Sequence, residues 1–519
     1  VTAAQTVEDF IEQMTRKGYE LVETHISWVL LGPSDVWKLK KPVNFGFLDF
    51  TDAAQRKAAC EAEIELNRRL SPHVYLGSEP VCTGEDGAPI EWAVHMKRLP
   101  DADRADVRLA EGRLTREHID RIAERVAAFH ADARCDEATA RFGDVDIIGA
   151  NVRENFEQTR ETVGHYIEGA QADEIEQWQL SMLQQHADRF AARVEDGRIR
   201  DGHGDLRLEH VYITDDGEIS IIDCIEFNER FRFGDVCADI AFLAMDLARL
   251  GHVELSEACL AAYARAADDF DLYSVVDFYE SYRAYVRGKI ATIVAEGEHT
   301  PPKVRERAAK EARRDYLLSV AAHRRSLLSP MVIAVAGIIA TGKSTVAAAI
   351  GAERSAPIIE ADRTRKAMLG AQPTQAIHTD AWQGAYSPGM TEKVYAELMR
   401  RGEVVLRSGR PVVLDASFRK QSYRAQARAL AERLDVPFVL VECRADPAVC
   451  RARLEERARS ASVSDGRLEI FDDFVASWQT VDELPPVQHL VLNTSKPLAD
   501  NLEVIRERAI HTWPPGLNH

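Results

Sequence analysis

Residues 331–345 read MVIAVAGIIATGKST, and this stretch decides the fold of the C-terminal part of the chain. Val332 to Ala336 is apolar at every position, as in a strand covered on both faces. Gly337 to Ser344 then fits G-x-x-x-x-G-K-S, and the chain continues as GKSTVAAAIGAE, a helical pattern. Strand, glycine loop and helix in this order form a phosphate cradle. Gly337, Thr341 and Gly342 let backbone N–H groups close around phosphate oxygens. The helix start at Lys343, Ser344 and Thr345 adds partial positive charge. Lys343 is placed to reach β- and γ-phosphates, and Ser344 offers a hydroxyl to Mg²⁺.

Moving outward, APIIEAD, RPVVLDAS, VPFVLVEC and HLVLN are apolar strands separated by helical patterns. That alternation predicts a parallel sheet covered on both faces. Asp362 and Asp415 end two of these runs. Ligands gather at the carboxyl ends of parallel strands, so both carboxylates are expected to face the phosphate loop. Here the residues resemble the small P-loop kinases: gluconate and shikimate kinases, chloramphenicol phosphotransferase, zeta toxins and polynucleotide kinases. The resemblance covers about 330–519. It implies that Asp362 orients or deprotonates the acceptor hydroxyl and that Asp415 holds Mg²⁺ through water. It implies acceptor contacts for Arg419 and Arg424. CRARLEERAR resembles a mobile lid, in which Arg451, Arg453 and Arg457 would neutralise transferring charge.

A second constellation lies upstream. DGHGDLRLEHVYI and ISIIDCIEF contain His203-Gly-Asp205-Leu206 and Ile222-Asp223. These resemble the catalytic loop and metal-binding Asp of aminoglycoside phosphotransferases and choline kinases. By that resemblance Asp205 is the base and Asp223 ligates Mg²⁺. In DVWKLKKPV, Val36, Lys38 and Lys40 share one strand face. Lys38 best matches the phosphate-binding lysine, with Lys40 the alternative. Glu63 falls on the inward stripe of a helix over 52–70, where it can pair with that lysine. Asp235 and Asp239 are candidates to brace the catalytic loop. One position departs from the pattern. The family has Asn five residues after the catalytic Asp, and this chain has His210. An imidazole nitrogen suits Mg²⁺ poorly and Mn²⁺ better, so Mn²⁺ is an option at this site.

The combined expectation is an α/β and α+β protein of two domains. Residues 1–325 would form a protein-kinase-like (aminoglycoside phosphotransferase-like) fold, and 330–519 a parallel-sheet P-loop NTPase fold. The order resembles a bacterial family of two-domain proteins. It implies an ATP- and Mg²⁺-dependent phosphotransferase acting on hydroxyl groups of small polar metabolites. Two other readings compete: a C-terminal kinase regulated by a non-catalytic N-terminal domain, and a nucleic-acid end kinase. The net charge of −19 disfavours nucleic acid and anionic membranes as partners. No run of apolar residues is long enough to span a bilayer, and no signal pattern opens the sequence. Eight scattered cysteines without a C-x-x-C pair fit reduced thiols and a cytoplasmic setting. The oligomeric state and the acceptor stay open.

Overall fold

The computed structural model describes residues 6–24, 26–44, 48–83, 88–297, 300–322, 328–377, 382–457, 459 and 466–512. The chain divides into two compact units, each discontinuous in sequence. The first is Val1–Leu250 with Tyr282–Asp315, and the second is Gly251–Ser281 with Tyr316–His519.

The first unit opens with helix α1 (Val7–Arg16), capped by Thr6, and a five-stranded antiparallel sheet. The strands are β1 (Glu20–Glu23), β2 (Ser27–Leu31), β3 (Asp35–Lys40), β4 (Tyr75–Thr83) and β5 (Pro89–Lys97), in the order β1-β2-β3-β5-β4. Both faces are covered, because alternate residues feed separate cores. Leu30, Leu39 and Ala93 pack with Phe10 and Met14 of α1. Val36, Val94 and Met96 pack with Cys60 and Ile64 of helix α2 (Ala53–Arg68). As expected, Asp52 caps α2, its side chain accepting from the Ala54 N–H. Helices fill much of 105–195, followed by the short hairpin β6 (Val211–Ile213) and β7 (Ile219–Ile221). Helix α3 (Val236–Arg249) is buried along nearly its whole length.

The second unit contains helix α4 (Val253–Ala266) and a five-stranded parallel sheet. Its strands are β8 (Val332–Ala336), β9 (Ile358–Glu360), β10 (Val412–Asp415), β11 (Phe438–Arg444) and β12 (His489–Asn493). Their order is β9-β10-β8-β11-β12, which puts β8 at the centre. All five β8 residues are buried, as its unbroken apolar run requires. The glycine loop leads from β8 into helix α5 (Lys343–Arg354), and helix α6 (Ala361–Met368) follows β9.

The division differs from the break near 330 expected from sequence. Residues 251–281 belong with the parallel sheet, and ion pairs give the reason. Arg410 is 3% exposed and meets Glu257 at 2.6 Å and Asp277 at 3.0 Å. Arg265 of α4 reaches Glu360 at 2.8 Å. Much of the expected linker, 323–327, lies outside the described residues. Among the described residues no helix is long and apolar enough to cross a membrane.

Candidate functional site

In the second unit, β8 delivers the chain to Gly337, whose φ is 144°. A Cβ at Gly337 would meet Cys443 O and Thr341 Oγ1 at 2.6 Å, so only glycine fits. Gly342 turns into α5 at φ 79°. Thr341 shapes the loop from within: its Oγ1 donates to Ile338 O at 2.8 Å, and its carbonyl accepts from Thr494 Oγ1 at 2.6 Å. Lys343 Nζ donates to Ile338 O at 2.8 Å, a neutral partner that phosphate oxygens can replace.

A cavity opens on each side of this loop. One, of about 330 Å³, holds Lys343, Ser344, Asp362, Asp415 and Arg419. The other, of about 490 Å³, is lined by Arg453, Thr494, Lys496 and Asn501. Ala340, Gly342, Thr345 and Arg457 line both. The loop and Arg457 are thus the partition between two compartments.

Ser344 hydrogen-bonds Asp415 at the end of β10. Burial pushes the Asp415 carboxyl up to about 6, while Lys343 and the Ser344 hydroxyl pull it down. A hydroxyl and a carboxylate are oxygen donors that fit a hard cation such as Mg²⁺. Asp362 lies in the first turn of α6 rather than at a strand end, because β9 stops at Glu360. Its Oδ1 accepts from Arg365 Nη1 at 2.8 Å and from Tyr386 Oη at 3.5 Å.

Two arginines named from sequence stand elsewhere. Arg451 pairs with Asp472 at 2.7 Å and covers the Phe471 ring, outside both cavities. Two residues apart, Arg451 and Arg453 point to roughly opposite faces of their helix, and it is Arg453 that donates to Ala340 O and Thr494 O. Arg424 is 1% exposed and spends its guanidinium on Glu483 and the carbonyls of Phe418, Gln479 and Thr480. It is a structural staple. Sequence reasoning missed Arg265, Trp382, Tyr386 and Phe474, all of which line the smaller cavity. No motif marks them, since they converge from separate segments.

In the first unit, the hairpin β2–β3 presents Lys38 and Lys40 toward α2. Lys38 Nζ donates to Glu63 Oε1 and Asp223 Oδ1, both at 2.9 Å. Lys40 bonds the other Glu63 oxygen and Glu226, with its side chain fully buried. Lys38 therefore joins the helix carboxylate to the metal-type carboxylate, and Lys40 anchors beneath it. Lys38 holds Asp223 well below the usual carboxylate range despite burial. Asp223 sits at φ 66°, the left-handed region, which aims its carboxylate back at Lys38.

Asp205 sits opposite. Burial raises its carboxyl, but Arg207 and His210 outweigh burial and lower it. Arg207 Nη2 donates to Asp205 Oδ2 at 2.8 Å. Asp239 braces this loop, accepting from the N–H groups of His203 at 2.6 Å and Gly204 at 2.9 Å. Asp235 does not reach the loop; Arg193 grips it through two bonds, and it caps α3. His203 is buried, which pushes its imidazole down to about 4, and it bonds Ile222 O at 3.0 Å. His210 Nδ1 faces Asp205 O at 2.8 Å, and a carbonyl there can only accept. Nε2 lies 3.2 Å from Arg207 Nη2 and 3.5 Å from Asp223 Oδ2.

A family model described as phosphotransferase enzyme family matches residues 40–279, and one described as AAA domain matches 332–480. An uncharacterized protein of Mycobacterium tuberculosis is 32% identical over 449 residues, 86% of this chain and 88% of its own. A Mycobacterium bovis protein gives the same figures. Among solved structures, a gluconokinase from Sinorhizobium meliloti is 22% identical, covering 36% of this chain and 95% of its own, with a TM-score of 0.26. The GDP complex of wild-type aminoglycoside 2'-phosphotransferase-IIIa is 13% identical, covering 60% of this chain and 99% of its own, with a TM-score of 0.35. The chain belongs to the family of these mycobacterial proteins, with a phosphotransferase-family region of kinase-like fold followed by a P-loop kinase domain.

Proposed function

We propose that the protein is an ATP-dependent kinase whose second unit transfers a phosphoryl group to a hydroxyl of a small polar molecule. The partition of the two cavities by the glycine loop carries this reading. The larger cavity offers a nucleoside a groove at Arg453 and Thr494, and the smaller offers an acceptor the Asp362 carboxylate. Lys343 and the loop N–H groups bind the phosphates between them. Asp362 orients the acceptor hydroxyl and takes its proton. Arg457, at the rim of both cavities, offsets charge on the phosphoryl group as it moves. Ser344 and Asp415 would hold Mg²⁺, which supplies charge neutralisation on the phosphates. The test is transfer from labelled ATP to a pool of sugars, sugar acids, aminoglycosides and nucleosides by the intact protein. Lys343→Ala should abolish the product formed by the second unit. Unchanged product would defeat the assignment.

The first unit supports a second nucleotide site, with Lys38 and Glu63 for phosphates, Asp223 and His210 for metal and Asp205 as base. The tie of Asp205 to Arg207 and the place of His210 favour a regulatory variant of this reading, in which nucleotide binds without transfer. Loss of any product in an Asp205→Ala, Lys343-intact protein would argue for catalysis there instead.

A further inference from the structure

The smaller cavity contains an arginine, Arg419, that no carboxylate among the described residues neutralises. Arg419 is 7% exposed, and its guanidinium lies 3.9 Å from the Trp382 ring centroid and 6.0 Å from that of Phe474. Among the described residues no carboxylate, carbonyl or hydroxyl bonds it. The titratable groups that act on it are Tyr423, Tyr395 and a second cation, Arg365. Arg365 is 5% exposed and stacks 4.2 Å from the Tyr386 ring centroid. It gives Nη1 to Asp362, and its Nε has no hydrogen-bond partner.

Such an arrangement is costly. A buried guanidinium without an anion loses hydration and gains nothing in return, and a like charge nearby adds to the cost. Aromatic faces recover part of it through cation–π attraction. Contrast Arg410 and Arg424 of the same unit, which are equally buried and meet carboxylates. Where this chain buries an arginine for structure, it supplies the counter-charge. At Arg419 the counter-charge is left for a ligand.

We propose that the acceptor of the second unit carries an anionic group, a carboxylate or a phosphate ester, which seats against Arg419 and Arg365. This rests on the kinase reading given above. Arg365 ties the anion subsite to the chemistry, because the same guanidinium holds Asp362 Oδ1 at 2.8 Å. The acceptor hydroxyl then meets the remaining Asp362 oxygen, Oδ2. Its oxygen forms a bond to the γ-phosphorus as the bond to the β,γ-bridging oxygen breaks. The hydroxyl proton passes to Asp362, and the bridging electron pair leaves with ADP. Neutral polyols would fill the pocket without discharging Arg419, and cationic amino sugars would be repelled.

The test uses the full chain with its loop loaded by a non-hydrolysable ATP analogue and Mg²⁺. Glycerol, glycerate, glycerol 3-phosphate and 3-amino-1,2-propanediol are titrated by calorimetry. Glycerate or glycerol 3-phosphate should bind about tenfold or more tighter than glycerol, and the amine should bind worst. The tighter of the two anions identifies carboxylate or phosphate as the group accommodated. Arg419→Gln should erase the preference, and Arg419→Lys should keep much of it. Equal binding of glycerol and both anions, no binding of any probe, or an anion preference intact in Arg419→Gln would overturn the proposal. Failure of the analogue to bind, or its indifference to Lys343→Ala, would instead sink the kinase reading.

Discussion

The two phosphate-type sites of this chain treat charge in opposite ways. In the first unit the lysines and the catalytic-loop arginine meet carboxylates of the same unit: Lys38 with Glu63 and Asp223, Lys40 with Glu63 and Glu226, Arg207 with Asp205. In the second, Lys343 rests on a carbonyl and Arg419 rests on an indole. The first site is neutralised from within, and its charges hold structure. In the second, Lys343 and Arg419 both line a cavity and meet no carboxylate among the described residues.

The contrast is sharpest between two lysines. Removing Lys40 leaves Glu63 and Glu226 buried without their common partner. Lys40→Met should destabilise the first unit by about 3–5 kcal/mol, the range for breaking one side of a buried ion pair. Urea denaturation followed by far-UV dichroism reads this. Lys343→Met removes a hydrogen bond to a carbonyl and should cost about 1 kcal/mol or less in the same assay. Its effect belongs to transfer, which should fall by about 10²–10³-fold in kcat. If Lys40→Met proves harmless to folding while Lys343→Met unfolds the second unit, the comparison is reversed and the reading fails.

A smaller effect is expected at His210. His210 Nδ1 lies 2.8 Å from the Asp205 carbonyl, and its Nε2 stands between Arg207 Nη2 at 3.2 Å and Asp223 Oδ2 at 3.5 Å. In a Lys343→Ala background, ATP binding to the first unit should respond to Mn²⁺ more than to Mg²⁺. His210→Asn should raise the Mg²⁺ response roughly severalfold by substituting oxygen for nitrogen. An unchanged Mg²⁺ response would make His210 a structural replacement.

A further test concerns the second unit's own buried carboxylates. Burial pushes Glu280 up to about 8 from an ordinary 4.5; Arg410 opposes this, and Glu257 and Asp277 add to it. A carboxyl whose folded pKa is raised contributes stability that is complete below the ordinary value and is lost as pH rises through the folded one. The protein should therefore lose stability relative to Glu280→Gln between about pH 5 and pH 8. Denaturation midpoints of both proteins across that window give the answer, and parallel curves would refute the shift.

Much of this was legible before any coordinates. The glycine loop follows from strand, spacing and helix together, since few other uses of Gly337, Gly342, Lys343 and Ser344 fit that order. A period of two put Lys38 and Lys40 on one strand face, and a period of about 3.6 turned Glu63 inward, while the preference for Lys38 came from the family resemblance. What stayed hidden depends on rotation and convergence. Arg451 and Arg453 stand two residues apart on opposite helix faces, and nothing in the sequence says which face meets the loop. Arg424 reads as a ligand-binding cation until Glu483 is seen beside it. Arg265 and Trp382 reach the acceptor cavity from segments far from the loop, and no local pattern announces such a meeting.

Helix α4 carries a lesson for how such proteins can be shuffled in evolution. The phosphotransferase family match runs to residue 279, so residues 251–279 are inherited as part of that family. Yet in the second unit α4 lends Arg265 to the smaller cavity, and its Glu257 pairs with buried Arg410. A cut after residue 279 would therefore take from the second unit both Arg265, which lines its smaller cavity, and Glu257, the partner of buried Arg410.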